Sequence, residues 1–170
     1  MGRPLSAEDV GTRLRARFGD GIEVTDSFGH AVAVVPREAY RDVVRFLRDE
    51  PDFACDYCDF TAGVDRGPGG FEVSTHLHST THHHNVRVKV RLPADDPVLD
   101  SVHDLYATCD WHERETMEMF GIRFEGHPRP VKLLLAEPFE GYPLRKDFPL
   151  MSREVKPWPG AVEGEEDEDE

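Results

Sequence analysis

The chain has 170 residues and a formal net charge of −14, half of it from the seven acids after residue 162. The remainder is still acidic, which excludes a nucleic-acid partner, because phosphate contacts need a basic surface. No apolar run approaches the about 20 residues that span a bilayer, and the first residues lack the apolar core of a signal peptide. Three cysteines, an odd number, argue against a disulfide framework. We therefore expect a soluble, cytoplasmic protein of one domain with no membrane span of its own.

The first predicted elements are two helices with a strand between them. Ser6 and Asp9 form a capping-box variant before apolar residues spaced four apart, and Gly19 ends this helix. The run "HAVAVVP", residues 30–36, predicts a short buried strand closed by proline. Over residues 37–51, apolar residues at i, i+3, i+4 and i+7 predict an amphipathic helix that a second proline stops.

The middle of the chain predicts three strands. Residues 53–61, "FACDYCDFT", indicate the first, and residues 71–80 alternate between apolar and polar side chains. Residues 86–92, "VRVKVRL", alternate without exception, which is the strongest strand signal in the chain. The polar link between the last two strands predicts a hairpin with one buried and one wet face. The side chains expected in the core are Val86, Val88, Val90 and Leu92, and those expected on the other face are Arg87, Lys89 and Arg91.

Two shorter helices follow in the prediction. Residues 95–106, "DDPVLDSVHDLY", suggest one, and Trp111 to Phe120 the other, with Asp110 as its cap and Gly121 as its stop. After Gly121 the chain is rich in proline and glycine, and only "VKLLLA", residues 131–136, looks regular.

These elements predict an α+β fold, in which a mixed or antiparallel sheet of about four strands packs with helices and an extended C-terminal arm follows. We place the α+β domain at residues 1–127 and a Pro-rich docking arm at residues 128–160. Residues 161–170 form an acidic tail that cannot bury apolar area, and we expect it to be disordered.

Two clusters have metal-binding residue types. Cys55 and Cys58 have CxxC spacing, but on a strand they point to opposite faces, and no second pair completes a zinc site. We interpret them as small buried apolar residues, with redox or metal use as the alternative. The histidines at 76, 78 and 82–84 could hold a divalent metal weakly. Because the partner strand lines that face with arginine and lysine, a solvated hairpin is the preferred interpretation.

The segment "WHERETMEMFGIRFEGHP", residues 111–128, concentrates acids, an arginine and histidines. At 100° per residue, Glu115 and Glu118 share one helix face with Arg114 at its edge, so both carboxylates are predicted to point outward. Glu113 lies on the opposite face, together with two apolar residues expected in the core, Met117 and Phe120.

A catalytic acid pair on this helix would need one carboxyl group with a raised pKa in a pocket. The adjacent Arg114 instead favours the charged form of both carboxylates. A dimetal site would need Glu-x-x-His ligands from several helices, and no second such helix exists. From spacing alone, a charged interface or a solvated face is preferred over catalysis.

The two segments "ERETMEMFGIRFEGHP" and "LLLAEPFEGYPLRKDFPL" together closely resemble the signature of the thirty-kilodalton subunit, also called the C subunit, of respiratory NADH:quinone oxidoreductase, or complex I. The resemblance covers roughly residues 35–151. One departure is the run after Pro128, where the family has an acid and then paired basic residues, whereas residues 129–132 read Arg-Pro-Val-Lys. The signature and subunit-interface positions that the resemblance implies are Glu113, Arg114, Glu115, Glu118, Phe120, Gly121, His127, Pro128, Gly141, Pro143, Leu144, Arg145, Lys146, Asp147 and Pro149.

The resemblance implies a non-catalytic, hydrophilic subunit of a proton-translocating complex. It implies no cofactor in this chain, with NAD, FMN, iron–sulfur clusters and quinone on other subunits. The implied chief partner is the large quinone-site subunit, with the C-terminal arm along it. We interpret "GYPLRKDFP", residues 141–149, as a docking element with Arg145 exposed, and the alternative is a surface loop tucked onto its own domain. The implied location is peripheral, on the cytoplasmic side of the cell membrane. The sequence itself agrees with the absence of cofactors. Three cysteines cannot supply a Cys₄ cluster, and "GPGG" at 67–70 does not lie in the βα unit that a nucleotide-binding glycine-rich loop requires.

Three alternatives stay open. The first is the equivalent subunit of a related membrane-bound hydrogenase or deazaflavin-dependent dehydrogenase. The second is a metal-dependent hydrolase using Glu115, Glu118 and His127. The third is a binding module or chaperone that serves assembly without staying in the complex.

Overall fold

The computed structural model describes residues 4–149 and has a five-stranded mixed sheet with three α-helices. The α+β class is confirmed, with one strand more than the about four expected. The strand order is β1-β2-β5-β4-β3, in which only β2 and β5 run parallel, and β6 and β7 form a separate parallel pair. The elements are α1 (Ala7–Phe18), β1 (Glu23–Ser27), β2 (His30–Val35), α2 (Tyr40–Asp49), β3 (Tyr57–Asp65), β4 (Phe71–His78), β5 (Asn85–Leu92), β6 (Val98–Asp100), α3 (Cys109–Phe120) and β7 (Arg123–Glu125).

Part of the prediction concerns segments outside residues 4–149. The predicted acidic tail and the part of the arm after residue 149 lie beyond them. Between residues 126 and 149 the chain has no helix or strand, so the regular structure predicted for residues 131–136 is not formed. Among residues 4–149, no helix is long and apolar enough to cross a membrane.

The elements with strong local signals form as predicted. Ser6 and Asp9 make both hydrogen bonds of a capping box, and α1 stops at Gly19. The hairpin of β4 and β5 is antiparallel. Val88 is fully buried, and the side chains of Val86, Val90 and Leu92 lie with it in the core.

All three helices pack on the core face of the sheet. Tyr40 of α2 reaches Thr75 of β4 through a hydroxyl hydrogen bond of 2.8 Å. Gly63 of β3 leaves so little room beneath α3 that a Cβ there would lie 2.9 Å from the side chain of Thr116. The core therefore lies between one sheet face and one helical layer, and α3 is fixed directly on the edge strand β3.

The opposite sheet face is less wet than the alternation indicated. Glu72 of β4 is 5 % exposed, because long neighbouring side chains lie over it. It accepts from Arg66 at 3.0 Å and from Lys89 at 2.9 Å. These two ion pairs compensate the negative charge of the buried carboxylate, so no contact from a helix is needed on this face.

Three further local predictions were wrong. Residues 95–106 contain β6 and turns instead of a helix, because Val98 and Leu99 pair with β7. The strand expected at residues 53–61 begins only at Tyr57. Helix α3 starts at Cys109, so Asp110 lies inside it, and Thr108 at its cap makes no side-chain capping bond. The end of α3 was right, since Gly121 has a left-handed φ of 73°.

Candidate functional site: helix α3 and the loop it holds

Three charged side chains of α3 are buried rather than facing solvent. Glu113 is 0 %, Arg114 7 % and Glu118 4 % exposed, while Glu115 is exposed. The exposure to solvent that the outward direction implied for Glu118 was therefore wrong. That helix face does point away from the sheet, but the chain after β7 folds back over it. Phe120 is buried, as the helical spacing predicted.

Arg114 and Glu118 bind the main chain of residues 131–135, an arrangement we call the α3 clamp. The Glu118 carboxylate accepts N–H groups from Leu133, Leu134 and Leu135 at 2.9, 2.8 and 2.6 Å. Arg114 donates from Nε to the carbonyl of residue 131 at 2.9 Å and from Nη2 to that of residue 132 at 3.1 Å. One cation and one anion thus satisfy five backbone groups of a segment that has no secondary structure of its own.

The electrostatics of Glu118 follow from this geometry. Burial raises the pKa of its carboxyl group, but the three backbone N–H donors outweigh burial and leave the pKa below its usual range. The side chain is thus held as a carboxylate with both oxygens occupied. Such a group is a structural anchor and is poorly suited to act as a general base or metal ligand.

The clamped loop turns apolar side chains to solvent. Leu134 is 59 % exposed, and Val131 is 51 % exposed. Further along, Leu144 is 55 % exposed. Large apolar side chains that are exposed close together in sequence and held on a fixed backbone are typical of interaction sites. The full set of exposed large apolar residues in this segment is Val131, Leu133, Leu134, Phe139, Tyr142 and Leu144.

Glu113 fixes a different segment. Its carboxylate accepts the Ser101 hydroxyl and the Val102 N–H, the latter at 2.7 Å. Burial raises its pKa to about 7, although both hydrogen bonds act in the opposite direction. Glu113 therefore ties α3 to the chain that follows β6. The cavity beside it has about 10 Å³, room for one water molecule at most and none for a substrate.

His127 also has a positioning role. Its Nε2 lies 3.2 Å from the Asp110 carbonyl oxygen, and its Nδ1 accepts the Arg129 N–H at 3.1 Å. The three residues of the hydrolase alternative are thus engaged separately, with Glu115 in solvent, Glu118 on the loop and His127 on Asp110. Among residues 4–149, no three His, Cys, Asp or Glu side chains are grouped so that they could hold a metal ion.

Arg145 lies against its own domain. It donates from Nε to the Phe120 carbonyl at 2.6 Å, and its guanidinium lies over the rings of Phe71 and Tyr142, 5.0 and 4.3 Å from their centroids. A side chain at Gly121 would collide with both Arg145 and Tyr142, so glycine is required there for space as well as for its positive φ. The expectation that Arg145 is exposed was wrong, since the residue is half-buried.

The rest of the second motif lies along the end of α3 and β3. The Leu144 N–H donates to the Met119 carbonyl at 3.2 Å, and the Lys146 N–H donates to Asp65 at 2.7 Å. The signature positions that are buried are Glu113, Arg114, Glu118, Phe120 and His127. Those that are half-buried are Gly121, Pro143 and Arg145. Those that are exposed are Glu115, Pro128, Gly141, Leu144, Lys146, Asp147 and Pro149.

The histidine and cysteine clusters make local contacts. The His78 Nδ1 lies 2.8 Å from Asn85, and the His82 Nε2 lies 2.8 Å from the Pro51 carbonyl. Cys55 and Cys58 are buried, in line with their interpretation as small apolar residues. Sequence reasoning missed Ser101, because nothing in its local sequence links it to a glutamate twelve residues later.

The fold and site define an α+β domain that uses buried charges of one helix to shape its surface. Residues 33–154 match the protein family described as respiratory-chain NADH dehydrogenase, 30 Kd subunit. The chain therefore belongs to this family, as the two sequence motifs indicated.

Similar proteins agree with this assignment. The chain is 41 % identical over 154 residues to the second C subunit of NADH-quinone oxidoreductase from Rhizobium etli (strain CIAT 652), covering 89 % of this chain and 82 % of the relative. It is 42 % identical over 147 residues to the C subunit of NADH-quinone oxidoreductase from Roseiflexus sp. (strain RS-1), covering 84 % of each.

Two solved structures share the fold. The trypsin-resistant fragment (1–134) of Nqo5 has a TM-score of 0.62 and 28 % identity, over 72 % of this chain and 97 % of that one. A chain of the membrane-bound sulfane sulfur reductase, an archaeal respiratory membrane complex, has a TM-score of 0.66 over 85 % of this chain and 86 % of that one. Its identity of 23 % makes this a likeness of fold alone.

Proposed function

We propose that this chain is a non-catalytic subunit in the peripheral arm of a proton-translocating NADH:quinone oxidoreductase. It helps to assemble and hold the quinone-site region while electrons pass from NADH to quinone. Its chief partner is the large quinone-site subunit, and it is held peripherally on the cytoplasmic side of the cell membrane through the complex. Family membership and the names of the similar proteins support this proposal.

The observation that carries the proposal is the α3 clamp. Side chains of a family motif hold a loop in place through hydrogen bonds, and that loop exposes Leu133 and Leu134. A loop fixed before binding loses little conformational freedom when a partner docks, which favours affinity. A few well-packed side chains that lose all contact with water at the centre of an interface supply most of its binding energy. The clamped loop is therefore the surface that we assign to the neighbouring subunit.

We further propose that the chain carries no cofactor, and that NAD, FMN, iron–sulfur clusters and quinone bind to other subunits. The purified, folded chain should then show no NADH oxidation and no stoichiometric flavin or iron. Absorption spectra and elemental analysis of a sample purified without chelators would measure this. A flavin spectrum or one iron per chain would contradict it.

The substitution Leu134→Asp tests the docking surface. Because Leu134 is exposed, the isolated chain should keep its stability to within about 0.5 kcal/mol. Placing a carboxylate in an apolar interface should reduce incorporation into the membrane complex at least tenfold. The measurements are the thermal melt of the purified variant and its abundance in the assembled complex on native gels.

The matched control is Phe28→Asp, which also places a carboxylate at an exposed apolar position, on the β1–β2 turn. It should assemble normally. Equal loss with both variants would show that the clamped loop is not the particular site of contact. Co-purification of the tagged chain from detergent-solubilised membranes would identify the partner, and also separate this complex from a related hydrogenase or dehydrogenase.

A further inference from the structure

Two of the three cysteines face each other inside the domain. Cys58 lies on β3 and Cys109 is the first residue of α3, and their sulfur atoms are 3.6 Å apart. Both residues are buried, at 2 % and 0 % exposure. The third cysteine, Cys55, lies instead 3.9 Å from the His84 Nε2. The cysteines in contact are therefore not the two with CxxC spacing, and they are 51 residues apart in sequence.

The surroundings would let the two sulfurs close to bonding distance. A disulfide needs about 2.05 Å between sulfurs, so the pair must approach by roughly 1.5 Å. The β3–β4 pairing is irregular between Cys58 and Phe60, where a strand bends most readily. At the other sulfur, α3 begins at Cys109, and the Thr108 hydroxyl makes no capping bond but donates to the Cys58 carbonyl at 3.4 Å. This bond holds the start of α3 beside the irregular part of β3, where the strand can adjust.

The two thiols differ in their readiness to react. The hydrogen bond with Cys109 is the main cause that lowers the pKa of Cys58, ahead of burial, which raises it. The same hydrogen bond, followed by burial, raises the pKa of Cys109. Cys58 is also the only one of the two with any exposed surface, 2 % against 0 % for Cys109. Because the nucleophile is a thiolate that the peroxide must reach, we assign Cys58 as the attacking sulfur and Cys109 as the resolving one.

We propose that Cys58 and Cys109 form an oxidisable dithiol that a small hydroperoxide, such as hydrogen peroxide, converts to a disulfide joining β3 to α3. The Cys58 thiolate attacks one peroxide oxygen, the O–O bond breaks, and sulfenic acid and hydroxide form. The Cys109 sulfur then attacks the Cys58 sulfur, losing its proton as the second hydroxide leaves. The two hydroxides take up the two thiol protons, so two thiols and one peroxide give one disulfide and two waters.

The link would join the sheet to the helix that carries the α3 clamp. In a reducing compartment the pair stays as a dithiol, and it closes only when peroxide is present. This site does not depend on the proposed function, since it rests on the position of two sulfurs within the domain.

The experiment treats the folded full-length chain with hydrogen peroxide, then alkylates remaining thiols in denaturant and maps peptides by mass spectrometry. The expected product is one cross-linked pair of peptides containing Cys58 and Cys109, lighter by two hydrogen atoms, with Cys55 fully alkylated. Dithiothreitol should restore all three thiols. The Cys55→Ser variant, as control, should give the same cross-link.

Single substitutions separate the two roles. With Cys109→Ser, Cys58 has no resolving partner and should accumulate as sulfenic acid that dimedone traps. With Cys58→Ser, Cys109 should show at least tenfold less trapping. The proposal is overturned if the folded chain forms no Cys58–Cys109 link, if the link appears only in urea, or if Cys55 pairs instead. Stronger trapping of Cys109 than of Cys58 would overturn the assignment of the nucleophile.

Discussion

Replacing Glu118 with glutamine should release the clamped loop while the sheet and its helices stay folded. The Oε2 atom of the carboxylate accepts from the Leu133 and Leu134 N–H groups and Oε1 accepts from the Leu135 N–H, whereas a glutamine has one carbonyl oxygen and an N–H₂ group that faces at least one of these donors. Hydrogen bonds to a charged group contribute about 1.5–3 kcal/mol each. The loss of local stability cannot exceed the free energy that holds the loop against the domain, because a loop that is already detached cannot be destabilised further. We therefore expect a local loss of about 3 kcal/mol.

Amide hydrogen exchange at Leu133, Leu134 and Leu135 measures this result directly. A loss of about 3 kcal/mol corresponds to roughly a hundredfold faster exchange, since about 1.4 kcal/mol is a factor of ten. Amides of β5 should keep their protection. Glu115→Gln is the matched control on the same helix, and it should change neither region because Glu115 is exposed. Unchanged exchange at all three leucines in the Glu118 variant would show that the clamp does not hold the loop.

The contrast between these two glutamates shows what the sequence could and could not predict. The period of 3.6 residues gave the directions of Glu115 and Glu118 relative to the core. It could not show that residues 131–135 return to cover one of them. That contact joins positions fifteen or more residues apart and leaves no local pattern. For the same reason Arg145 was expected in solvent, although its guanidinium lies over the Phe71 ring and donates to the Phe120 carbonyl.

Strands show the same limit. The hairpin of β4 and β5 was predictable, because alternation and a short polar link are both local signals. The small pair of β6 and β7 was not, since each strand has three residues and becomes a strand only through the other. Strand β1, with the sequence "EVTDS", is polar and lies at the sheet edge, so it carries no apolar alternation to detect.

Four of the five Asp, Glu and Arg residues of α3 thus fall into three groups. Glu113 binds the chain after β6, Arg114 and Glu118 hold the loop after β7, and Glu115 is left in solvent. A cluster that looks catalytic in sequence is divided in the structure among separate backbone segments. Burying charges for this purpose is stabilising only while each one is fully paired, which explains why single substitutions here should have large effects.

Glu113→Gln should remove a pH dependence of stability. The pKa of Glu113 is raised from 4.5 to about 7 in the folded chain, chiefly by burial. Between these values the folded state binds a proton that the unfolded state has lost, so stability falls as pH rises from about 4.5 to 7. The shift corresponds to about 3 kcal/mol at most. Glutamine is neutral at every pH, can accept the Val102 N–H, and can donate to Ser101, whose hydroxyl then turns to the His103 Nδ1 at 3.0 Å.

The measurement is urea unfolding of both proteins at several pH values from 5 to 8. The free energy of unfolding of the variant minus that of the wild type should increase by roughly 2–3 kcal/mol from pH 5 to pH 8. Taking this difference cancels the contributions of groups that titrate alike in both proteins. Nearby Asp104, whose pKa the Arg41 guanidinium lowers to about 2, stays charged throughout and adds no slope. Glu115→Gln, exposed on the same helix, should run parallel to the wild type. Parallel curves for Glu113→Gln would show that Glu113 is already ionised at pH 5 and that its burial does not hold the proton.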